Sequence, residues 1–306
     1  MSEYYYIDII IVNWNAGNSL KEAIESVIKI EEKKLKLNFI VVDNASTDKS
    51  IESIGHLNVK ILHSAKNAGF GKACNLALPH CNGNYILLLN PDTQSSSSAL
   101  LALVEILEKN EDIGVVGPQQ VNETGKVART CCRFPTLQTA IWDLTGLSKM
   151  MPKTFTPAPI MIDWPHDATR YVDHVMGSYM LIKRKAIDLA GFMDDRYFVY
   201  YEDVDLSKRI HEKGFKILYT ADVQIFHEGG GASKTIKAKR LAYSLQAKIN
   251  YWHIHFSRVS FLIATTLTLT VEPVARILAA ISVFNFKQAG QTVQAFGSLY
   301  KKILSR

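Results

Sequence analysis

Val41-Val42-Asp43-Asn44-Ala45-Ser46-Thr47-Asp48 is the stretch around which the rest of the chain arranges itself. An apolar, β-branched run over 39–42 ends on an acid, and a polar turn follows. Open parallel sheets bind their ligands at the carboxyl ends of their strands, so an acid delivered there carries chemistry. The same ending appears on either side. Upstream, the run 7–12 passes into Asn13-Trp14-Asn15; downstream, 85–89 passes into Asn90-Pro91-Asp92. Short strands are also expected over 59–62 and 114–117. Between the strands, Leu20, Ala23, Ile24, Val27 and Ile28 fall at helical spacing, and 71–78 and 99–107 read as further helices. This alternation predicts an α/β fold with a mostly parallel sheet flanked by helices.

Farther out the pattern changes. Residues 118–170 carry six prolines and little period, and read as a long segment crossing the face of the sheet. Pattern returns at 171–182, then a helix over 202–213 and strands over 216–219 and 223–226. From Ala238 the chain is helical in pattern. The apolar stretches 259–271 and 274–284 are interrupted by Glu272, Pro273 and Arg276, and each falls short of the roughly 20 residues of a spanning helix. Helices lying in a membrane interface, or packed on a partner, are expected instead. The division is therefore 1–235, an α/β domain, and 236–306, a helical extension.

Length and composition agree with one large domain plus an appendage. The chain has 306 residues, 47% apolar and 21% charged, which excludes disorder. The formal charge is +6, with much of the excess late, at 234–240 and at Lys301, Lys302 and Arg306. Basic residues beside apolar helices suit an anionic membrane surface better than a nucleic acid, a solvated face being the plainer alternative. None of the four cysteines, Cys74, Cys81, Cys131 and Cys132, has a zinc-site spacing, and no secretory signal opens the chain, so a reducing, cytoplasmic setting is expected.

Five segments hold candidate chemistry. Asp43 suits two roles equally, supporting its turn or accepting a hydrogen bond from the imide N–H of a uracil or thymine. Asn67-Ala68-Gly69-Phe70-Gly71-Lys72 places two glycines and a lysine at a helix start, where a phosphate can be held, although an ordinary loop-to-helix turn has the same pattern. Asn90-Pro91-Asp92 presents a carboxylate to a hard divalent cation whose other ligands are diphosphate oxygens and water, or else forms a simple Asx turn. Glu202-Asp203-Val204-Asp205 opens a helix whose dipole keeps acids ionised, as a general base requires. His227 ends a strand before Gly229-Gly230-Gly231, a sequence that allows a mobile loop beside a metal-binding imidazole.

Taken in order, these pieces resemble the family 2 glycosyltransferases of GT-A fold, especially their rhamnosyltransferase-like members. The likeness runs from residue 7 to about residue 231 and rests on 11–15, 41–48, the Asn-Ala-Gly-Phe-Gly turn, Asn90-Pro91-Asp92, Gly177-Ser178, Glu202-Asp203-Val204-Asp205 and His227. The resemblance implies an inverting, metal-dependent transfer of a sugar from a nucleoside-diphosphate donor. Asp203 matches the catalytic base. Asn13, Asn15, Asp43, Asn67, Gly69, Lys72, Asn90, Asp92 and Gly177 fall on the donor side. Asp92 and His227 match the ligands of Mn²⁺ or Mg²⁺, and Glu202 and Asp205 fall on the acceptor side. Asn90 departs from the pattern, standing where the family's Asp-x-Asp motif has its first acid. A dTDP- or UDP-linked donor, dTDP-rhamnose first, and a saccharide or lipid-linked acceptor are implied, at the inner face of the cell membrane; a soluble acceptor, with the late helices forming a homodimer, accounts for the same sequence. Two rivals remain: a nucleotidyltransferase, against which the absence of a basic N-terminal signature counts, and an inactive membrane-associated scaffold of the same fold.

Overall fold

The computed structural model describes residues 4–28, 32–158, 160–229 and 237–305. The first strand, β1 (Tyr5–Asn13), leads through α1 (Ser19–Ile28) to β2 (Leu35–Asp43), then to β3 (Lys60–His63), α2 (Phe70–Ala77) and β4 (Tyr85–Leu89). A two-residue strand, β5 (Thr93–Gln94), precedes α3 (Ser97–Lys109) and β6 (Ile113–Val121). The proline-rich stretch contains β7 (Cys131–Cys132), α4 (Leu137–Thr145) and α5 (Leu147–Met150). It ends at β8 (Arg170–Val172), β9 (His174–Val175) and β10 (Tyr179–Lys183). After α6 (Arg184–Ala190), α7 (Glu202–Glu212) and β11 (Lys216–His227), three helices complete the chain: α8 (Lys237–His255), α9 (Arg258–Ser282) and α10 (Phe286–Leu304).

The main sheet has the order β3-β2-β1-β4-β10-β6-β11-β5, with β8 also on β11. β1 lies between β2 and β4 and runs parallel to both. Its isoleucines are buried on both faces because helices cover the sheet on both sides. Ile7, Ile9 and Ile11 pack on the face of α1 and α3, and Ile10 packs on the opposite face with α2 and α7. The sheet is mixed: β10 runs antiparallel to β4 and to β6. This is the GT-A architecture, with a helical layer at its C-terminal end.

Two sequence readings change. The strands expected at 216–219 and 223–226 are one strand, β11, whose pairing to β6 shifts register between Thr220 and Gln224. The apolar pieces either side of Pro273 are one helix of 25 residues, long and apolar enough by itself to cross a membrane. Proline removes the N–H that would serve the carbonyl four residues back. That carbonyl belongs to Leu269, and the Tyr300 hydroxyl of α10 donates to it instead, so the helix runs on. The expected domain boundary, residues 234–236 of the basic stretch, and Gly230 and Gly231 lie outside the described residues.

Candidate active site

The carboxyl edge of β1 and β2 is a web of short polar side chains. Register pairs Asn13 with Asp43. The Asn13 amide donates to Ser50 Oγ at 2.8 Å, to Ser46 Oγ at 3.0 Å and to Asp43 Oδ1 at 3.4 Å. Asp43 Oδ1 also accepts from the Ser46 backbone, and its Oδ2 faces His63 Nδ1 at 3.4 Å on the end of β3. Asn15, held at φ 52°, receives the Thr47 backbone N–H on its side-chain oxygen. The turn is thus closed by its own residues, and Asp43 keeps only 8% exposure, enough for one edge of a ligand to reach.

The next turn is committed elsewhere. Asn44 donates to Asn67 Oδ1 and to the Gly69 carbonyl, and Asn67 Oδ1 accepts the Gly69 N–H. Gly69 has φ 92°, and a Cβ there would lie 2.1 Å from the Phe198 carbonyl oxygen. The first amide of α2, on Phe70, donates to that same carbonyl. The glycine therefore permits close approach of the chain's own backbone, and Asn67 braces it. Of this segment's donor-side candidates, the exposed Lys72 remains open to solvent.

At the other end of the edge, residues far apart in sequence converge. β5 pairs with β11 so that Thr93 is opposite His227. This brings His227 Nε2 to 3.3 Å from Asp92 Oδ1, both side chains mostly buried. Cis ligands about 2.1 Å from one octahedral cation stand about 3 Å apart, so the pair has the spacing and the oxygen–nitrogen chemistry of two ligands of Mg²⁺ or Mn²⁺. Among the described residues no group of three His, Cys, Asp or Glu side chains is placed to hold a metal. Such an ion would therefore draw its remaining ligands from a diphosphate and water.

Asp203, at the start of α7, is fixed from three directions. Its Oδ2 accepts the Gly177 N–H at 3.0 Å and lies 3.5 Å from His174 Nε2; its Oδ1 accepts the Val204 N–H at 2.9 Å. Gly177 must lack a Cβ, which would stand 3.1 Å from this carboxylate. His174 is in turn held by Ser207 Oγ at 2.9 Å on Nδ1. Burial opposes the charge on Asp203, but the His174 ring and the two backbone amides outweigh it and hold the carboxyl below its usual range. The side chain keeps 19% exposure, so a substrate hydroxyl can reach it. Ser178 joins the two centres: its carbonyl accepts the Asn90 N–H, one residue beyond the Gly177 amide that holds the base. Neither His174 nor Ser207 was marked by the sequence, since a single histidine in a two-residue strand belongs to no pattern.

The flanking acids are buried. Glu202 is buried against Gly71, and burial followed by the neighbouring Asp203 charge pushes its carboxyl up. Asp205 is also buried; it ties α7 to α8 through His255 at 2.7 Å and pairs with Arg209 of its own helix at 2.8 Å. Both acids, expected on the acceptor side, are thus buried and engaged by the fold itself. Before them Tyr200 and Tyr201 both have positive φ, 72° and 68°, a strained conformation that sets the approach of Asp203. A cavity of about 950 Å³, lined by Glu22, Ser95, Gln224 and Phe226, lies beyond β5, with neither Asp92 nor Asp203 on its wall.

Residues 8–161 match the family model described as glycosyl transferase family 2. The chain belongs to that family. This glycosyltransferase is similar to the N-acetylglucosaminyl-diphospho-decaprenol L-rhamnosyltransferase of Mycobacterium tuberculosis, 23% identical over 77% of this chain and 80% of the relative. It is also similar to the low-salt glycan biosynthesis hexosyltransferase of Haloferax volcanii, 24% identical over 72% of this chain and 66% of that one. Among solved structures, the mannosyltransferase PcManGT of Pyrobaculum calidifontis, in complex with GDP-Man and Mn²⁺, superposes with TM-score 0.57 at 16% identity, over 97% of this chain and 87% of that one. Family membership removes the nucleotidyltransferase reading. The glycosyltransferase has its acids, Asp43, Asp92 and Asp203, at the ends of three different elements along one edge.

Proposed function

We propose that this glycosyltransferase transfers a sugar, rhamnose, from a dTDP- or UDP-linked donor to a hydroxyl of a lipid-linked saccharide, with inversion and with a divalent metal. The cytoplasmic face of the cell membrane is its place of work. The observation that carries the reading is Asp203, a partly exposed carboxylate kept ionised by His174 and two amides, one of them from Gly177, the residue before the Ser178 carbonyl that braces the Asn90–Asp92 turn. The names of the mycobacterial relative and of the Escherichia coli rhamnosyltransferase WbbL, 23% identical over 60% of this chain, favour rhamnose, and the former favours a lipid diphosphate acceptor.

Asp43 would accept the imide N–H of the base, a contact that uracil and thymine offer and that needs an unprotonated carboxylate. Asp203 would take the proton of the acceptor hydroxyl as that oxygen forms its bond to the anomeric carbon. The bond to the diphosphate oxygen breaks on the opposite face, the nucleoside diphosphate leaves, and Asp203 ends protonated. Asp92 and His227 would hold Mn²⁺ or Mg²⁺, which offsets the charge gathering on the departing diphosphate. A panel of nucleotide sugars read by diphosphate release, with the configuration of the product determined, tests the reading. Release from dTDP-rhamnose above UDP- and GDP-sugars, lost in EDTA and restored by Mn²⁺ or Mg²⁺, is expected. A retained anomeric configuration, or full rate in chelator, overturns the corresponding part; absence of release from every donor would leave only the scaffold.

A further inference from the structure

The helical layer leaves one long face uncovered. α9 extends about 38 Å at 1.5 Å per residue. Its inner side buries Ala264, Thr268 and Glu272 against the rest of the molecule. Its outer side presents Val259, Leu262, Ile263, Val274, Leu278 and Ile281, between 41% and 69% exposed, at spacings that keep them on one face. The turn into α10 adds Phe284 and Phe286, 83% and 65% exposed. No free charge interrupts this face: the two ionised residues inside the helix, Glu272 and Arg276, pair with each other at 2.8 Å, and Glu272 also pairs with Lys248 of α8 at 2.5 Å. Thr270 on the same face turns its hydroxyl to the Thr266 carbonyl. An uncharged exposed surface of this length marks a site of contact.

Charge identifies the contact. Residues 237–306 contain ten Lys and Arg against a single acid, Glu272, a formal +9, so the remaining 236 residues carry −3. Arg258 stands at one end of the apolar face and Lys287 at the other, with Lys301 and Lys302 exposed on α10. Pairing this face with a second copy would set +9 against +9. A spanning arrangement would strip α9 from α8 and carry Glu272 into hydrocarbon without Lys248. A bilayer surface rich in anionic lipid meets both the apolar face and the positive field, the two signals that stable peripheral binding requires.

We propose that the outer face of α9, with the Phe284–Phe286 turn, lies in the plane of an anionic membrane surface while the buried Lys248–Glu272 pair keeps the helix docked on the protein. The inference deepens the reading of a membrane-borne acceptor and rests on that reading only for its purpose, since the surface itself stands on exposure and charge. It also places the base. Tyr201, two residues before Asp203, packs on Tyr251 of α8 with ring centroids 5.5 Å apart, and Asp205 joins His255 of the same helix. The reacting edge is thus one helix away from the membrane-facing layer.

The experiment is co-sedimentation of the full chain with vesicles of phosphatidylcholine alone and of phosphatidylcholine with phosphatidylglycerol, at low and high ionic strength, without donor or acceptor. Binding to the anionic vesicles is expected, weakened at least about tenfold by high salt or by the neutral lipid. Leu262→Glu with Leu278→Glu should weaken it by about tenfold or more, both positions being exposed enough to leave the fold intact by circular dichroism. Lys301→Gln with Lys302→Gln should weaken binding to anionic vesicles and leave the salt-resistant part unchanged. Absence of vesicle binding, or equal binding by the Leu262/Leu278 variant, overturns the proposal, as does a sedimenting dimer that the same variant dissolves. Diphosphate release from the donor, measured in parallel, keeps the transferase reading separate: release without vesicle binding sinks the docking alone.

Discussion

The two ends of the reacting edge are built differently. Around Asn13 and Asp43, most partners come from the same two turns, with His63 of β3 added and the Asn13 side-chain oxygen left without a partner. Around Asp92 and Asp203, each acid has a small number of partners, and those come from β9, β11 and the 177–178 turn, 26 residues away in one case and 135 in another. A frame of the first kind recognises, because its donors and acceptors are already oriented. A centre of the second kind suits reaction, because its carboxylates, with side chains 15% and 19% exposed against 11% for Asp43, keep more of an approach from solvent.

Mutations should separate the two ends by the kinetic constant they change. Asp203→Asn keeps the shape and the Gly177 contact but removes the base; kcat should fall by roughly 10²–10⁴ while donor binding, measured by calorimetry, holds. Near-normal turnover would move the base elsewhere and erase the contrast. Asp92→Ala should lower kcat by about 10²–10³ and shift the Mn²⁺ requirement to higher concentration, measured by metal titration. At the recognising end, Asp43→Asn should raise the donor KM roughly 10- to 100-fold with little change in kcat, the loss of one charged hydrogen bond, measured by steady-state kinetics across uracil, thymine and guanine donors. A fall in kcat of similar size would mean that the frame takes part in the reaction.

The smallest effect should be the most discriminating. Asp203 is faced by His174 from β9, Cys132 from β7, Cys74 from α2, and Glu202 and Asp205 from its own helix. Of these, His174 is the neighbour that lowers its pKa, against the opposing pull of burial. A base with a depressed pKa stays active until pH falls through that value. His174→Gln should therefore move the acidic limb of the kcat–pH profile to higher pH, with a modest loss at the optimum and an unchanged donor KM. An unmoved limb would reduce His174 to packing.

The difference between the ends also explains what could be read in advance. The Asp43 turn is legible because the acid ends an apolar run and its polar residues follow within a few positions, although its Asn13 partner lies 30 residues away, and strand alternation made the α/β class legible from equally local pattern. Asp92 with His227 was legible only through family resemblance, since no local rule links positions 135 apart. The burial of Glu202 and Asp205 was not legible, because a helix start shows that acids are tolerated there, not which of them α2 and α8 will cover. Pro273 concealed a continuous α9 because the compensating hydroxyl, Tyr300, lies on another helix.

The contact between Gly69 and Phe198 carries a last consequence. The nucleotide-side turn rests directly on the backbone three residues before the strained Tyr201, with no room for a methyl group between them. A random-mutagenesis screen scored for transfer would therefore report Gly69 among the most intolerant positions in the chain. That intolerance would follow from the Phe198 backbone alone, whatever else the turn contacts.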